Sequence, residues 1–323
     1  MSMLKMGLAA ATLAGLTWGA AAEEAAAPVD GEKVAAAIEE EADDSFLSRF
    51  TVGLELETST AYVYHGAVLN DRPFASVYPY FDFDLTDDWS VGAALWVLND
   101  LTNRRRPEGI RGEWNERDWE LHTDYTIWSN DAEKKEDEVK LTVQAGYYWE
   151  DYTVHGTYYT ADGEKDYRKR KDFPSIHYSF AKFKLENPVV TPFVNAFYEF
   201  VQIHSLILEV GLEKSIGFDE IFGDESLSDF SLDLSVTLDG GHKRFINNCY
   251  MTEDAKTGLA AGEARAGVSW QALKQLSLSA YVGYTGLLNS RVRHDHVKQG
   301  GDLNDWYDHD QYVYCGFMAA LEF

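Results

Sequence analysis

The chain has 323 residues, of which 45% are apolar, 14% aromatic and 25% charged, enough apolar material for a folded core and too much for a disordered chain. Asp and Glu number 54 against 28 Lys and Arg, a formal charge of -26 that disfavours nucleic acid, whose phosphates bind through clustered cations. A mean hydropathy of -0.33, with no long apolar run beyond the N-terminus, excludes a bundle of membrane helices but not a β-barrel, whose alternating strands average out.

Met1 to Ala22 reads as a secretory signal. Lys5 precedes the apolar stretch Met6 to Trp18, and Ala20-Ala21-Ala22 supplies a small-residue cleavage site before Glu23. The apolar stretch falls short of the roughly 20 residues a membrane helix needs. Residues 23–45 are rich in Ala and Glu, carry no aromatic residue and read as a linker. The remaining 46–323 is expected to be one barrel. Of the two cysteines, Cys315 lies on the apolar row of the last strand, which argues against a disulfide with Cys249.

From Phe50 onward, runs of about ten residues alternate apolar with polar or small side chains, the period of a strand with two unlike faces. The first has Phe50, Val52, Leu54 and Leu56 on one face and is expected to stay extended to Gly66. Val77 to Leu85 and Trp89 to Val97 follow, joined by the turn Thr86-Asp87-Asp88. Next come Trp119 to Ile127 and Val139 to Trp149. Ser175 to Leu185 changes parity between Phe180 and Phe183, which suggests a bulge. Val190 to Phe200 and Leu206 to Ile216 form the next pair, followed by Phe230 to Leu238, Glu263 to Trp270 and Leu276 to Tyr284. Val313 to Phe323 ends the chain, making twelve runs, an even number that returns both ends to one side of a closed barrel.

The connections mostly sort by parity, with two exceptions: Gly217–Asp229 is longer than the other short ones, and the connection after the seventh run, Gln202–Ser205, is short where a long one is expected. Short ones such as Glu186-Pro188 and Gln271-Gln275 alternate with long polar ones, Leu101–Arg117, Asp151–Pro174, Gly240–Lys256 and Gly286–Gln311. That is the pattern of periplasmic turns and outer loops in an outer-membrane barrel. Trp and Tyr gather at strand ends, at Trp89, Trp119, Tyr147, Trp149, Trp270 and Tyr284, where half-wetted rings suit a bilayer interface. The expected fold is therefore an all-β, antiparallel up-and-down transmembrane barrel of about 12 strands. The ending Val313-x-Cys-x-Phe317-x-Ala-x-Leu321-x-Phe323 resembles the C-terminal signal read by the barrel assembly machinery of Gram-negative outer membranes.

The stretch Thr60-Ala-Tyr-Val-Tyr-His-Gly-Ala-Val-Leu-Asn-Asp-Arg-Pro73, with Tyr78-Pro-Tyr-Phe-Asp82, resembles the first hairpin of the TorF-like porin family. Val190-Thr-Pro-Phe-Val-Asn-Ala-Phe-Tyr-Glu199 with Leu206 to Ser215 is similar to that family's central strand pair. His65 stands where the family usually has Arg. The resemblance implies a passive channel of the bacterial outer membrane.

With the apolar row facing lipid, Glu55, Glu57, Glu120, His122, Asp124, Lys140, Glu209, Glu213, Asp233, Glu263 and Arg265 are expected to line the pore. Their net acidity predicts a mild preference for cations among small hydrophilic solutes. The alternative is a lumen filled by paired side chains, giving a non-conducting barrel of structural or adhesive role. Arg104, Arg105, Arg106, Arg168 and Arg170 cluster in outer loops, where they could meet lipopolysaccharide phosphates or simply be solvated. His294, Asp295, His296, Asp308, His309 and Asp310 crowd the last loop without the spacing of a known metal site, so neither metal nor cofactor is expected. His204 and Ser205 are adjacent and so point to opposite faces of a strand; with no other catalytic motif, the chain is not expected to be an enzyme. A homo-oligomer remains compatible with all of this.

Overall fold

The computed structural model describes residues 46–101, 111–130, 137–159, 165–166, 175–250, 255–293 and 310–323. The expected signal segment and linker, the arginine clusters and the last loop's histidines lie outside them. Arg49–Phe323 forms one compact unit.

In chain order the strands are β1 (Phe50–Ser59), β2 (Tyr62–Tyr64), β3 (Ala67–Asn70), β4 (Phe74–Thr86), β5 (Trp89–Asp100), β6 (Arg111–Ser129), β7 (Lys140–Tyr159) and β8 (Lys165–Asp166). They continue with β9 (Ile176–Glu186), β10 (Thr191–Glu199), β11 (Ser205–Gly217), β12 (Phe230–Gly241), β13 (Gly258–Leu273), β14 (Leu276–Leu287) and β15 (Gln311–Glu322). Short helices α1 (Phe218–Phe222) and α2 (Lys243–Cys249) flank β12. Leaving aside β2, β3 and the two-residue β8, the other twelve strands pair with their chain neighbours in one antiparallel sheet. The sheet closes where β1 meets β15, from Gly53 opposite Glu322 to Ser59 opposite Gly316. Closure leaves no open edge, the condition for placing backbone amides in hydrocarbon.

The apolar row faces outward. Val52, Phe81, Leu121, Leu212, Val236 and Val282 are each about half exposed on the outer wall, while Thr51, Gly53, Glu55 and Glu57 alternate inward. An apolar exterior this continuous is unstable in water and matched by lipid. Aromatic rings border it: Phe230 stacks on Trp270 at 5.8 Å near the short-turn end, and Trp119 meets Trp149 at 6.3 Å toward the long loops. The chain is a transmembrane β-barrel.

Three sequence expectations change. β6 and β7 are 19 and 20 residues long, so much of the two expected loops beside them is strand. Ser175 to Leu185 has no bulge: β9 keeps unbroken register with both neighbours. Its parity looked mixed because Tyr178 and Phe180 are buried inside the barrel while Phe183 faces out. Finally, β1 does not run on to Gly66. Ser59 Oγ donates to the carbonyls of Ala61 and Cys315, both at 3.1 Å, and the chain leaves the wall there.

Candidate functional site: an inward hairpin above an acidic vestibule

The segment after β1 folds into the barrel as the hairpin β2–β3, turning at His65 (φ 48°) and Gly66 (φ 74°). Each of its groups meets a different part of the wall. Tyr62 OH donates to Glu116 Oε1 on β6 (3.2 Å), and its ring packs on Phe74 and Trp96. Tyr64 OH donates to Glu150 Oε1 on β7 (2.9 Å) and lies 3.2 Å from Tyr178 OH on β9. His65 Nδ1 sits 2.8 Å from Glu209 Oε1 on β11 and 3.2 Å from Asp239 Oδ1 on β12. Thr285 Oγ1 on β14 donates to Gly66 O (2.6 Å), and Tyr250 OH donates to His65 O (2.5 Å). Ala61 and Val68 complete the ring by packing on Tyr314 of β15.

Gly66 is required by this seat. Its φ is in the left-handed region, and a Cβ there would lie 2.4 Å from the Cβ of Ala261. From above, α2 inserts Phe245 and Ile246, both buried, with Tyr250 following. Their anchor is Ser205 Oγ, which accepts the Phe245 N–H at 3.0 Å. Together with Tyr62, Ala67, Phe74, Leu98, Ile207, Ala261 and Leu287 they form a water-excluding cluster within the barrel's long-loop end.

His65 is the hinge of the electrostatics. Burial alone would lower its pKa, but hydrogen bonds to Asp239 and Glu209, with their negative charge, outweigh that and raise it to about 10. The ring is therefore imidazolium at neutral pH. Tyr64, Phe197 and Phe245 surround it edge-on, with centroids at 4.2, 5.8 and 5.4 Å.

Beneath the hairpin lies a cavity of about 940 Å³ that runs from Tyr62–Gly66 to Asp84, Asp87, Asp88 and Glu186 at the short-turn end. Of the residues expected to line the pore, Glu120, Asp124, Lys140, Glu209, Glu213 and Glu263 line this cavity. Asp233 and Arg265 line a neighbouring recess with Tyr281, and Glu55 and Glu57 a third with Tyr78 and Trp96. His122 is covered, its Nε2 2.8 Å from Asp82 Oδ1 and its Nδ1 3.1 Å from Glu120 Oε1. All eleven residues occupy inward positions, and the wall pairs many of their charges. Lys184 Nζ meets Glu213 Oε2 at 3.0 Å, Arg265 Nε meets Glu263 Oε1 at 2.6 Å, and Asn195 Nδ2 donates to Glu209 Oε2 at 2.9 Å.

Sequence reasoning missed Lys182 and Lys184, hidden by the mixed parity of β9, Glu116, which falls in the expected loop Leu101–Arg117, and Asp118, which lies between that loop and the strand expected from Trp119. It also missed that His65 would join Asp239. Two clusters, His65–Glu209–Asp239 and Asp82–His122–Asp124, each hold three ligand-type atoms within 4.8 Å of one another, donor sets that suit a cation as well as a proton. His204 and Ser205 do diverge: Ser205 is buried, while His204 faces a groove on the outer wall.

No family model and no curated sequence matches the chain, so the TorF-like resemblance rests on its residues alone. Among solved structures, the KdgM porin is similar at 8% identity and TM-score 0.40, covering 84% of this chain and 99% of that one. Outer membrane phospholipase A from Escherichia coli is similar at 13% identity and TM-score 0.38, covering 84% and 95%. LpxR from Salmonella typhimurium is similar at 12% identity and TM-score 0.44, covering 84% and 99%. Enzymes thus stand beside porins among similar structures, and the expectation that this chain is not an enzyme is withdrawn. Motif spacing is a poor guide on a barrel, because strands far apart in sequence can place their side chains together on its surface.

Proposed function

We propose that this protein is a porin-like channel of the bacterial outer membrane for small hydrophilic solutes, with the β2–β3 hairpin as its gate. The observation that carries the reading is the pairing of a wide vestibule, open toward the short-turn end, with a hairpin crossing the lumen above it. The hairpin is tied to the wall through the chain only at its two ends, where it continues into β1 and β4. Between those ends hydrogen bonds, one ion-pair cluster and apolar packing hold it, none of them part of the sheet's ladder, so it can yield without breaking the sheet. The short-turn end, which also holds both ends of the sheet, faces the periplasm, as expected for a chain exported behind a signal peptide over residues 1–22. The vestibule's carboxylates outnumber Lys140, Lys182 and Lys184, which supports a mild preference for cations. Phe323 serves as the assembly signal in this reading.

Planar-bilayer recording under a salt gradient tests it. Stable current steps with a reversal potential on the cation side are expected. A second reading, the non-conducting barrel, is favoured by the buried cluster at the long-loop end. Silence from protein shown to be folded by heat-modifiable gel mobility, both unmodified and with the hairpin's His65 removed, would decide for it.

A further inference from the structure

We propose that the outer wall of the barrel carries a binding site for the phosphorylated glycolipid of the outer leaflet, lipid A, on β11, β12 and β13 beside the long-loop rim. The inference rests on the outer-membrane placement proposed above and not on conduction. The exterior row of β12 runs Leu234, Val236, Leu238 and then Gly240, where the side chain is missing. In the ladder Gly240 lies between Leu208 of β11 and Leu259 of β13, both well exposed. A groove of about 690 Å³ results, walled by those leucines with Leu206, Val210 and Leu238. The register slips between Asp239 and Gly240, and a Cβ at Gly240 would lie 2.5 Å from the carbonyl oxygen of Gly258. Backbone packing therefore keeps the trough empty of side chains. A narrow apolar trough open to hydrocarbon suits an acyl chain.

Among the exposed described residues at its loop-side mouth basic side chains predominate, although the whole chain carries a net charge of -26. Lys243 and Arg244 open α2, and Lys256 precedes β13. The Lys243 N–H donates to Thr257 Oγ1 at 3.0 Å, which fastens these two segments side by side; Arg244 itself lines the groove, and Lys243 and Lys256 are the chain neighbours of its lining residues Arg244 and Thr257. His204 and His242 line the same groove, and all five side chains belong to exposed residues. The connection beside it, residues 200–204, is short, so it does not wall off the mouth. Cations above an apolar trough complement a phosphate above an acyl chain, and the leaflet facing the long loops supplies that combination as lipid A.

The test is competition binding of fluorescent bisphosphorylated lipid A to the purified full-length protein in detergent. Unlabelled lipid A is expected to compete, and its dephosphorylated form and phosphatidylglycerol to compete much more weakly. The combined change Lys243→Ala, Arg244→Ala and Lys256→Ala should weaken binding about tenfold or more. Leu208→Trp, which fills the trough, should weaken it with heat-modifiable mobility intact. Lys274→Ala, in the turn at the opposite end, should leave it unchanged. Equal competition by dephosphorylated lipid A or by phosphatidylglycerol, or full affinity in the triple variant, would overturn the proposal. Conductance of the same preparations reports on the channel reading alone, so the two can fail separately.

Discussion

His65 Nδ1 lies 2.8 Å from Glu209 Oε1, although His65 follows β1 and Glu209 belongs to β11, five strands round the barrel. A loop residue that reaches almost to the opposite wall makes the hairpin a crossbar. Its other contacts, on β6, β7, β12 and β14, spread the load around the ring.

Removing the imidazole should loosen the crossbar. His65→Ala leaves Glu209 and Asp239 facing each other without the cation between them, a loss of about 2–4 kcal/mol for a largely buried pair. Larger or more frequent current steps than in the unmodified protein are expected in planar bilayers. An unchanged current trace would show that the latch does not control closure.

Alkali should act in the same direction. The His65 pKa is raised to about 10 from an ordinary value of 6.5, so the folded state binds this proton more tightly than the unfolded chain does. The stabilisation is complete below the ordinary value and is lost as pH rises through about 10. Conductance should therefore increase across that upper window, and His65→Ala should abolish the pH dependence. A rise of the same size in the variant would assign it to another group.

Gly66→Val should unseat the hairpin by a different route. It places a β-branched side chain at φ 74° and against Ala261. Protease accessibility of residues 60–73 in the folded barrel should increase, with the sheet's heat-modifiable mobility retained.

Glu199 holds the tightest connection at the long-loop end. Its fully buried carboxylate accepts backbone N–H groups from Val201, Gln202, Ile203 and His204. Glu199→Gln turns one acceptor oxygen into a donor facing those amides and should cost about 1–3 kcal/mol. The midpoint of urea unfolding, followed by gel mobility, measures the loss.

Phe323 closes the seam. Its N–H donates to Val52 O at 2.9 Å, and its carbonyl accepts from Val52 N at 3.0 Å. Deleting it removes this backbone pair together with the terminal aromatic ring. Outer-membrane levels of the shortened protein should fall, and unchanged levels would count against its role as an assembly signal.

The wall was legible because alternation is local. Each strand states which of its residues share a face, and consecutive runs joined by connections pair as neighbours, so twelve strands and their order follow from reading along the chain. One error fell where the interior is apolar. Tyr178 and Phe180 on β9 sit inside because the crossbar and α2 build a second core there, and an inward aromatic has the same look in sequence as an outward one.

The barrel, the lipid-facing row and the acidity of the lumen are readable along the chain, since they depend on the two-residue period and on composition. That residues 60–73 turn inward, and that His65 meets Glu209 and Asp239, emerges from the closed ring alone. Those contacts span more than a hundred residues of chain, and no local pattern encodes them. They exist because closing the sheet into a ring brings β11 and β12 within one side chain's reach of a hairpin that begins beside β1.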